Sequence, residues 1–392
     1  MMKRLELFTI STALSLLVGF VCLELILRAQ HYEPYPSPWS FVTEVGKTKS
    51  LLFSLDRNKI YSIQKNIYIS EYDGTDQYGY RFVYRPRLTG KESFYEIVMI
   101  GDSFTYGQGV IHDQAYPAVL EQLFHQKKPK VIVHNAGISG YSPDQEYVYI
   151  KEILSHESPD MIIWNFNMND INDANESCLI RKIGNNYLEF PGWLNSLYVQ
   201  GLLIRHMPEW LFQYAVTNFV VYAPNRISGL GRITLGCTEK GTLTEVRKAM
   251  FQKIQYLIRE MQRQTKKRNI QLVVTLAPFQ WYFDEAQDYR HWSVGLYSQL
   301  RDTLKNVGEI FIDVNDKIAQ SHDPALLSLR TRSEGHPVYI GQNALGINSD
   351  NLAYSLFRVE EMQFPFGWKH LNALGNRYFA EAVYDSLKDI IP

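Results

Sequence analysis

The chain lacks several features that would assign it to common classes of protein. Its 392 residues include 40 Lys and Arg against 41 Asp and Glu, which leaves a formal net charge of −1. There is thus no basic surplus of the kind that attracts nucleic acid. A metal-binding signature such as His-Glu-x-x-His is absent, and so are internal repeats and low-complexity tracts. We therefore expect no nucleic-acid partner, no metal and no cofactor.

Two glycine motifs are also incomplete. The segment from Gly101 to Gly109 would need another glycine at position 112 to match a dinucleotide-binding loop, and that position holds His112. A Gly-x-Ser-x-Gly nucleophile elbow around Ser139 would need glycine at position 141, where Tyr141 stands. Both interpretations are therefore disfavoured.

Cysteine is scarce, with three residues in the whole chain. Cys22 lies in an apolar N-terminal run, so Cys178 and Cys237 are the pair left to form a disulfide in an oxidising compartment. The sequence does not give their separation in space. A bridged pair and two free thiols are both open.

What the chain does have is an apolar run, Tyr95 to Ile100, followed directly by Gly-Asp-Ser-Phe-Thr at 101–105. The run predicts a buried strand, which places the Ser103 hydroxyl just beyond its carboxyl end. In open α/β sheets, ligands bind in the crevice outside these strand ends. Ser103 is therefore the candidate nucleophile.

Two later strands are followed by polar loops in the same way. One apolar run, 131–133, leads into Asn-Ala-Gly-Ile-Ser-Gly at 135–140, and another, 161–164, leads into Asn-Met-Asn-Asp at 167–170. Near the C-terminus, His370 stands at the start of an amphipathic helix. Serine, glycine, asparagine and histidine thus follow one another along the chain.

Ser103, Gly140, Asn169 and His370 in this order resemble the SGNH (GDSL-type) hydrolase family. The resemblance is good over residues 94–170 and at the C-terminal helix, and rests on pattern alone between them. It implies a flavodoxin-like three-layer α/β/α fold with a five-stranded parallel sheet. It also implies ester hydrolysis through an acyl-enzyme on Ser103, with His370 as the base. The implied oxyanion hole comprises the backbone N–H groups of Ser103 and Gly140 and the side-chain amide of Asn169.

Each of these residues also has a purely structural interpretation. Serine is a favoured helix N-cap, so Ser103 can simply begin the next helix. Asp102 is typical of a turn, because its side chain bonds nearby backbone N–H groups. Asn169 can cap a loop, and His370 can pack beside Trp368. Gly137 and Gly140 can be simple turns at strand ends. We favour a shared site over a purely structural role for all four of the serine, glycine, asparagine and histidine residues.

The sequence departs from the family pattern in two blocks. The third block usually reads Gly-x-Asn-Asp, and here it begins with Asn167, which spares the amide donor. The fifth block usually reads Asp-x-x-His, and here it is Gly-Trp-Lys-His at 367–370. The missing aspartate normally fixes the imidazole tautomer and stabilises the imidazolium.

Three explanations for the missing aspartate stay open. A backbone carbonyl in the segment 366–368 can accept the imidazole N–H. A carboxylate from the preceding insertion can take the place of the aspartate, and the candidates are Asp350, Glu360 and Glu361. Otherwise the enzyme is slow or inactive. We favour a carbonyl or a displaced acid.

The N-terminus predicts a location. Lys3 and Arg4 precede an apolar segment from Leu7 to Leu27, which is just long enough to cross a bilayer. Cationic residues before a span favour a cytoplasmic N-terminus, with the catalytic body on the extracytoplasmic side. A cleaved signal peptide is the alternative, but no small-x-small site closes the run. We expect an uncleaved transmembrane signal anchor.

The chain is divided into three parts: residues 1–30 form the cytoplasmic tip and anchor, 31–93 a stalk and an irregular or β-rich preface, and 94–392 the hydrolase domain. Two insertions, at about 172–242 and 317–365, should overhang the site. Alternating strands and helices indicate a parallel sheet with helices on both faces. The predicted strands are 94–100, 131–136, 160–166, 270–276 and 309–314, and the predicted helices are 115–127, 143–157, 243–266, 292–306 and 371–390.

The predicted function is hydrolysis of an ester, with an O-acyl group on a surface polysaccharide as the favoured substrate. The 26 tyrosines and seven tryptophans suit amphipathic surfaces that contact sugars or a membrane interface. An O-acyltransferase that uses the same acyl-enzyme is one alternative. A glycan-binding or assembly protein with a decayed site is the other.

Overall fold

A computed structural model gives the structure of the chain and describes residues 2–29, 52–69, 73–83, 94–177, 179–195, 198, 202, 243–278, 287–321, 370–371 and 373–392. The helices are α1 (Met2–Ala29), α2 (Ser103–Tyr106), α3 (Tyr116–His125), α4 (Pro143–His156), α5 (Asp170–Glu176), α6 (Leu243–Lys266), α7 (Gln287–Lys305), α8 (Val314–Ser321) and α9 (Ala373–Leu387). The strands are β1 (Phe53–Asp56), β2 (Ile60–Ile63), β3 (Tyr95–Gly101), β4 (Val131–Gly137), β5 (Met161–Phe166), β6 (Ile180–Ile183), β7 (Asn186–Glu189), β8 (Gln271–Leu276) and β9 (Ile310–Asp313). Short 3₁₀ turns occupy His112–Gln114 and Gly192–Leu194.

Five strands form the central sheet, in the order β4-β3-β5-β8-β9. Every neighbouring pair is parallel. Counted along the chain, the strands lie in the flavodoxin-like order 2-1-3-4-5, so the order reverses between β3 and β5. The predicted five-stranded parallel sheet is confirmed, and the carboxyl ends of β3, β4 and β5 meet at the switch point.

Helices cover both faces of this sheet. Side chains alternate between the two faces along each strand, so every strand contributes residues to the packing on both sides. On one face, Ile97, Met99 and Ile163 belong to a buried cluster with residues of α3, α8 and α9. The other face packs against α4, α6 and α7. Since both faces are covered, the strands are apolar throughout, as the runs in the sequence suggested. The observed strand ends agree with the predicted ones within about two residues.

The N-terminal segment is helical over Met2–Ala29, but the predicted transmembrane anchor over Leu7–Leu27 is not supported. No helix among the described residues is long and apolar enough to cross a membrane. Within this helix, the Ser15 hydroxyl donates to the Ser11 carbonyl.

The chain divides into two compact units, residues 1–61 with 191–237 and residues 62–190 with 238–392. In the first unit, the rings of Phe53 and Tyr61 meet edge to face at 5.8 Å. The backbone N–H of Gly192 donates to the carbonyl of Asn58. The second unit contains the central sheet and every described candidate site residue.

Part of the first predicted insertion is an antiparallel hairpin of β6 and β7. A buried ion pair ties it to the helices: Lys253 Nζ lies 3.1 Å from Asp144 Oδ2, which also accepts the backbone N–H of Ile180. The second predicted insertion begins within α8. Most of both insertions lies outside the described residues, as do Cys178 and Cys237, so the predicted disulfide stays untested. Cys22 is a free, exposed thiol.

Candidate active site

The serine and the histidine predicted from the sequence lie side by side. Ser103 is the first residue of α2, at the carboxyl end of β3, and its Oγ is 2.8 Å from His370 Nε2. The two residues are 267 positions apart in the chain. The ring of Phe104 packs at 5.5 Å from the imidazole. A serine in hydrogen-bond contact with an imidazole nitrogen is the arrangement that activates a weak hydroxyl nucleophile.

Asn376 helps to hold the segment that carries His370 near Ser103. Its side-chain Oδ1 accepts the backbone N–H of Tyr116, at the start of α3, at 3.0 Å. Its Nδ2 donates to the carbonyl of Leu371, also at 3.0 Å. Asn376 is 1% exposed, so both bonds are shielded from water. The Asn376 side chain therefore links Leu371, the residue after His370, to the start of α3.

A second connection joins α2 to the same helices. The Thr105 hydroxyl is 2.8 Å from the Tyr116 hydroxyl, and the Tyr116 ring stacks on Phe379 of α9 with centroids 3.8 Å apart. Burial raises the pKa of Tyr116 above its ordinary value, so its hydroxyl stays protonated. The turn that carries Ser103, α2, is called the nucleophile turn below because Ser103 is the candidate nucleophile. This turn and the segment that carries His370 are thus both attached to Tyr116 of α3.

The nucleophile turn sits unusually close to the ends of the strands. A Cβ atom placed on Gly137, at the end of β4, would lie 2.2 Å from the backbone nitrogen of Tyr106. Asp102 caps the turn, because its Oδ1 accepts the backbone N–H of Phe104 at 2.9 Å. Gly137 is therefore required by close approach. The sequence interpretation of Asp102 as a turn residue agrees with this bond.

The candidate oxyanion donors lie on the two neighbouring loops. Gly140 is in the turn after β4, with φ of +76°, and Asn169 directly precedes α5. In the structure, Asn169 Nδ2 donates to Asp102 Oδ2 at 3.1 Å and to Asp173 Oδ2 at 2.7 Å. An amide NH₂ group has two hydrogens, and two carboxylates engage them here. Asn169 must turn one of them towards substrate to act as an oxyanion donor.

Three buried carboxyl groups lie under this loop. Asp102, Glu146 and Asp170 are each at most 1% exposed. Glu146 Oε2 accepts the indole N–H of Trp164, and Asp170 Oδ2 accepts the backbone N–H of Asn167, both at 2.7 Å. Neither Glu146 nor Asp170 is among the site residues predicted from the sequence. Glu146 looked like an ordinary helical residue, since the pattern could not show which side of α4 faces the strand ends.

Burial is the main reason why the pKa values of these three groups are raised. For Glu146, the negative charge of Asp102 raises the pKa further. For Asp170, the charges of Glu146 and Asp102 do the same. In Asp102, hydrogen bonds from Asn169 and the Phe104 backbone partly oppose the effect of burial. Buried negative charges disfavour each other's ionisation. These three carboxyl groups therefore hold their protons to a higher pH than exposed carboxyl groups do.

The groups predicted to orient His370 lie outside the described residues. They are Asp350, Glu360, Glu361 and the carbonyls of the segment 366–368. A displaced acid and a backbone carbonyl therefore both stay predictions.

A family model for the GDSL-like lipase/acylhydrolase family matches residues 99–344. The chain belongs to this family, and it is a hydrolase that acts on ester bonds. The matched range includes Ser103, Gly140 and Asn169 but ends before His370. The contact between the serine and the histidine therefore comes from the structure itself.

Several solved structures are similar to the chain at low identity. LAE5, an α/β hydrolase enzyme from the metagenome of Lake Arreo, is 14% identical with a TM-score of 0.38, over 75% of this chain and 95% of that one. The acetylxylan esterase Axe2 from Geobacillus stearothermophilus is 14% identical with a TM-score of 0.35, over 75% and 94%. The psychrotrophic esterase EstA from Pseudoalteromonas sp. is 10% identical with a TM-score of 0.35, over 76% and 98%. No curated protein matches the chain.

Proposed function

We propose that the protein is an SGNH-type serine esterase in which Ser103 forms an acyl-enzyme and His370 acts as the general base. The observation that carries the proposal is the 2.8 Å contact between Ser103 Oγ and His370 Nε2 at the switch point of the sheet. Membership of an ester-hydrolysing family supports the reaction class.

The proposed reaction has two halves. As Ser103 Oγ attacks the ester carbonyl carbon, His370 Nε2 takes the hydroxyl proton, and it then passes this proton to the departing alcohol oxygen. In the second half, His370 removes a proton from water, and the resulting hydroxide attacks the acyl carbon. The carbon–Oγ bond breaks, Ser103 regains its proton from His370, and the carboxylic acid leaves.

Each half passes through a tetrahedral oxyanion that needs hydrogen-bond donors. We assign these donors to the backbone N–H groups of Ser103 and Gly140 and to the side-chain amide of Asn169. Support comes from their positions, because all three lie at the carboxyl ends of adjacent strands.

The partner of the second imidazole nitrogen is proposed to be a backbone carbonyl at 366–368 or one of the carboxylates of Asp350, Glu360 and Glu361. Replacing each acid singly by its amide distinguishes these possibilities. A carbonyl partner predicts turnover within about tenfold of wild type in all three variants. A true orienting acid predicts a loss on the order of 10⁴-fold in one of them.

The favoured substrate is an O-acyl group on a polysaccharide, for which the aromatic content of the chain is the support. An O-acyltransferase would use the same acyl-enzyme, with a sugar hydroxyl in place of water. Incubating the enzyme with p-nitrophenyl acetate and an oligosaccharide separates the two, since a transferase makes an acetylated sugar and a hydrolase makes acetate. The Ser103–His370 contact disfavours the third possibility, a non-catalytic glycan-binding protein.

The catalytic domain is proposed to work outside the cytoplasm, with the cationic N-terminus and the apolar segment after it as support. Protease added to intact cells should digest the catalytic domain if this is so. Full protection until the cells are lysed would contradict it.

Ser103→Ala tests the proposed function. The substitution removes one hydroxyl from a nearly buried position, so the protein should fold and lose p-nitrophenyl acetate hydrolysis by on the order of 10⁶-fold in kcat. Ser139→Ala, on the next strand-end loop, is the matched control and should keep turnover within a few-fold of wild type. A folded Ser103→Ala protein with full turnover would exclude Ser103 as the nucleophile.

A further inference from the structure

Arg81 reaches the nucleophile turn from a part of the chain that precedes the family match. It is 2% exposed, and its backbone N–H donates to the carbonyl of Asn135 at 2.8 Å. Residue 81 thus forms an isolated antiparallel bridge to β4, the edge strand of the sheet. Its backbone is thereby fixed beside the strand ends that bear the site.

The guanidinium group points at the carboxyl-terminal end of α2. Its Nη1 donates to the carbonyl of Gly107 at 2.7 Å and also to the carbonyl of Tyr106, while Nη2 donates to the carbonyl of Val110. The Nε hydrogen goes to His112 Nδ1 at 3.3 Å. The cation also lies 4.6 Å from the centre of the Tyr106 ring. A planar group with five donors suits this set of acceptors.

The structure of α2 explains why such contacts matter. A helix of four residues is too short to be stable by itself, and the last carbonyls of a helix lack partners within it. Arg81 supplies partners to these carbonyls. Four residues extend only about 6 Å along the axis, so the bound carbonyls of Tyr106 and Gly107 lie about one turn from Ser103. A shift at this end of α2 therefore moves the nucleophile.

The residues around the guanidinium group leave room for it, and Gly107 is the clearest case. Gly107 has φ of +78°, and a Cβ atom on it would come within 2.6 Å of Arg81 Nη1. The Tyr106 hydroxyl donates to Asp73 Oδ1 at 2.8 Å, so the segment 73–83 holds α2 through a second contact. Larger residues at 107 would displace the cation.

We propose that Arg81 is a positioning residue for Ser103. Its guanidinium fixes the carbonyls at the end of α2 and thereby keeps Ser103 Oγ in line with His370 Nε2. This inference rests on the proposed function, because it concerns the placement of the proposed nucleophile. The alternative is that Arg81 stabilises the fold without affecting the geometry of the reaction.

Steady-state kinetics with p-nitrophenyl acetate, measured well below the unfolding temperature, separates these roles. Arg81→Lys keeps the charge, but a single ammonium group cannot reproduce the planar set of contacts. We expect kcat to fall by about 10- to 100-fold, because small misplacements of a reacting group have effects of this size. KM should stay within about twofold. Arg81→Ala should lose at least as much.

Arg268→Ala is the matched control. Arg268 also donates to a backbone carbonyl, that of Leu154, but it lies just before β8, near the amino-terminal ends of the strands, whereas the site lies at their carboxyl ends. Its removal should leave kcat unchanged within about twofold, even if the unfolding temperature falls. A loss of kcat in Arg81→Lys without a comparable loss in Arg268→Ala therefore reports positioning rather than general destabilisation.

Two results would overturn the inference. One is a folded Arg81→Lys protein whose kcat lies within twofold of wild type. The other is failure of both Arg81 variants to fold, which would make Arg81 a residue of the fold. Neither result affects the proposed function, since that depends on turnover by wild type and its loss in Ser103→Ala.

Discussion

The two loops that meet at the site are held by different kinds of groups. The nucleophile turn, α2, is fixed mainly by Arg81 and by the Thr105–Tyr116 hydroxyl pair, which do not change charge near neutral pH. Carboxyl groups add two contacts to it, from Asp102 to the Phe104 backbone and from Asp73 to the Tyr106 hydroxyl. The loop that carries Asn169 is fixed by carboxyl groups, those of Asp102 and Asp173. The position of Ser103 should therefore depend less on pH than that of Asn169. The position of the amide depends on charge.

The two loops also differ in whether their side chains already have the contacts that the proposed reaction needs. Ser103 is already in contact with His370, whereas the Asn169 amide is engaged by two carboxylates. Catalysis is most effective when donors are preorganised towards the developing oxyanion. Under the proposed mechanism, then, Ser103 is preorganised, and the Asn169 amide has to be released from one carboxylate before it can donate to the oxyanion.

Asn169→Ala and Asp173→Ala test this comparison and give its largest expected effects. Loss of an oxyanion donor should lower kcat by about 100- to 1000-fold in Asn169→Ala. Asp173→Ala removes one competing acceptor and should leave kcat unchanged or raise it a few-fold. Steady-state kinetics gives both values.

The split between kcat and KM decides the interpretation of Asn169. An interaction made only in the transition state lowers kcat with little change in KM. A change confined to KM in Asn169→Ala would assign the amide to binding of the ground state. A loss in Asp173→Ala as large as that in Asn169→Ala would contradict the view that Asp173 competes with the oxyanion.

A smaller effect is expected from Glu146→Gln. Burial raises the pKa of Glu146 in the folded protein, so its contribution to stability is present below the unfolded pKa and is lost as the pH rises towards the folded value. Glutamine cannot ionise, yet its side-chain oxygen can still accept the Trp164 indole N–H. The variant should therefore gain on the order of 1 kcal/mol in free energy of unfolding at pH 8 and little at pH 4.

Urea unfolding at the two pH values measures this effect. Glu121→Gln is the control, because Glu121 is also buried and its carboxylate accepts the Val133 backbone N–H at 2.6 Å. It should not gain stability at pH 8, because Glu121 does not belong to the cluster of Asp102, Glu146 and Asp170. Equal pH dependence in wild type and Glu146→Gln would show that Glu146 does not titrate with folding.

The sequence predicted the sheet well because each parallel strand is buried on both faces and reads as an apolar run. It also predicted Ser103 and Asn169 at strand ends, because local patterns place loops there. It could not place Arg81 or Glu146, whose roles depend on which distant groups they meet. Asn376 likewise connects Tyr116 with Leu371, a contact between segments that no local pattern relates.

The anchor is the clearest difference between prediction and structure. Its helical conformation is confirmed, but the membrane span is not supported among the described residues.

The central claim is that His370 activates Ser103, and covalent labelling tests it most directly. A fluorophosphonate is incubated with wild type and His370→Ala, and the modified residue is located by peptide mass spectrometry. His125→Ala is the control, since His125 bonds the Val131 carbonyl at the amino-terminal end of β4, away from the carboxyl ends of the strands that bear the site. We predict an adduct on Ser103 in wild type and in His125→Ala, and its loss in His370→Ala. Labelling of another serine, or undiminished labelling of Ser103 without His370, would contradict the account.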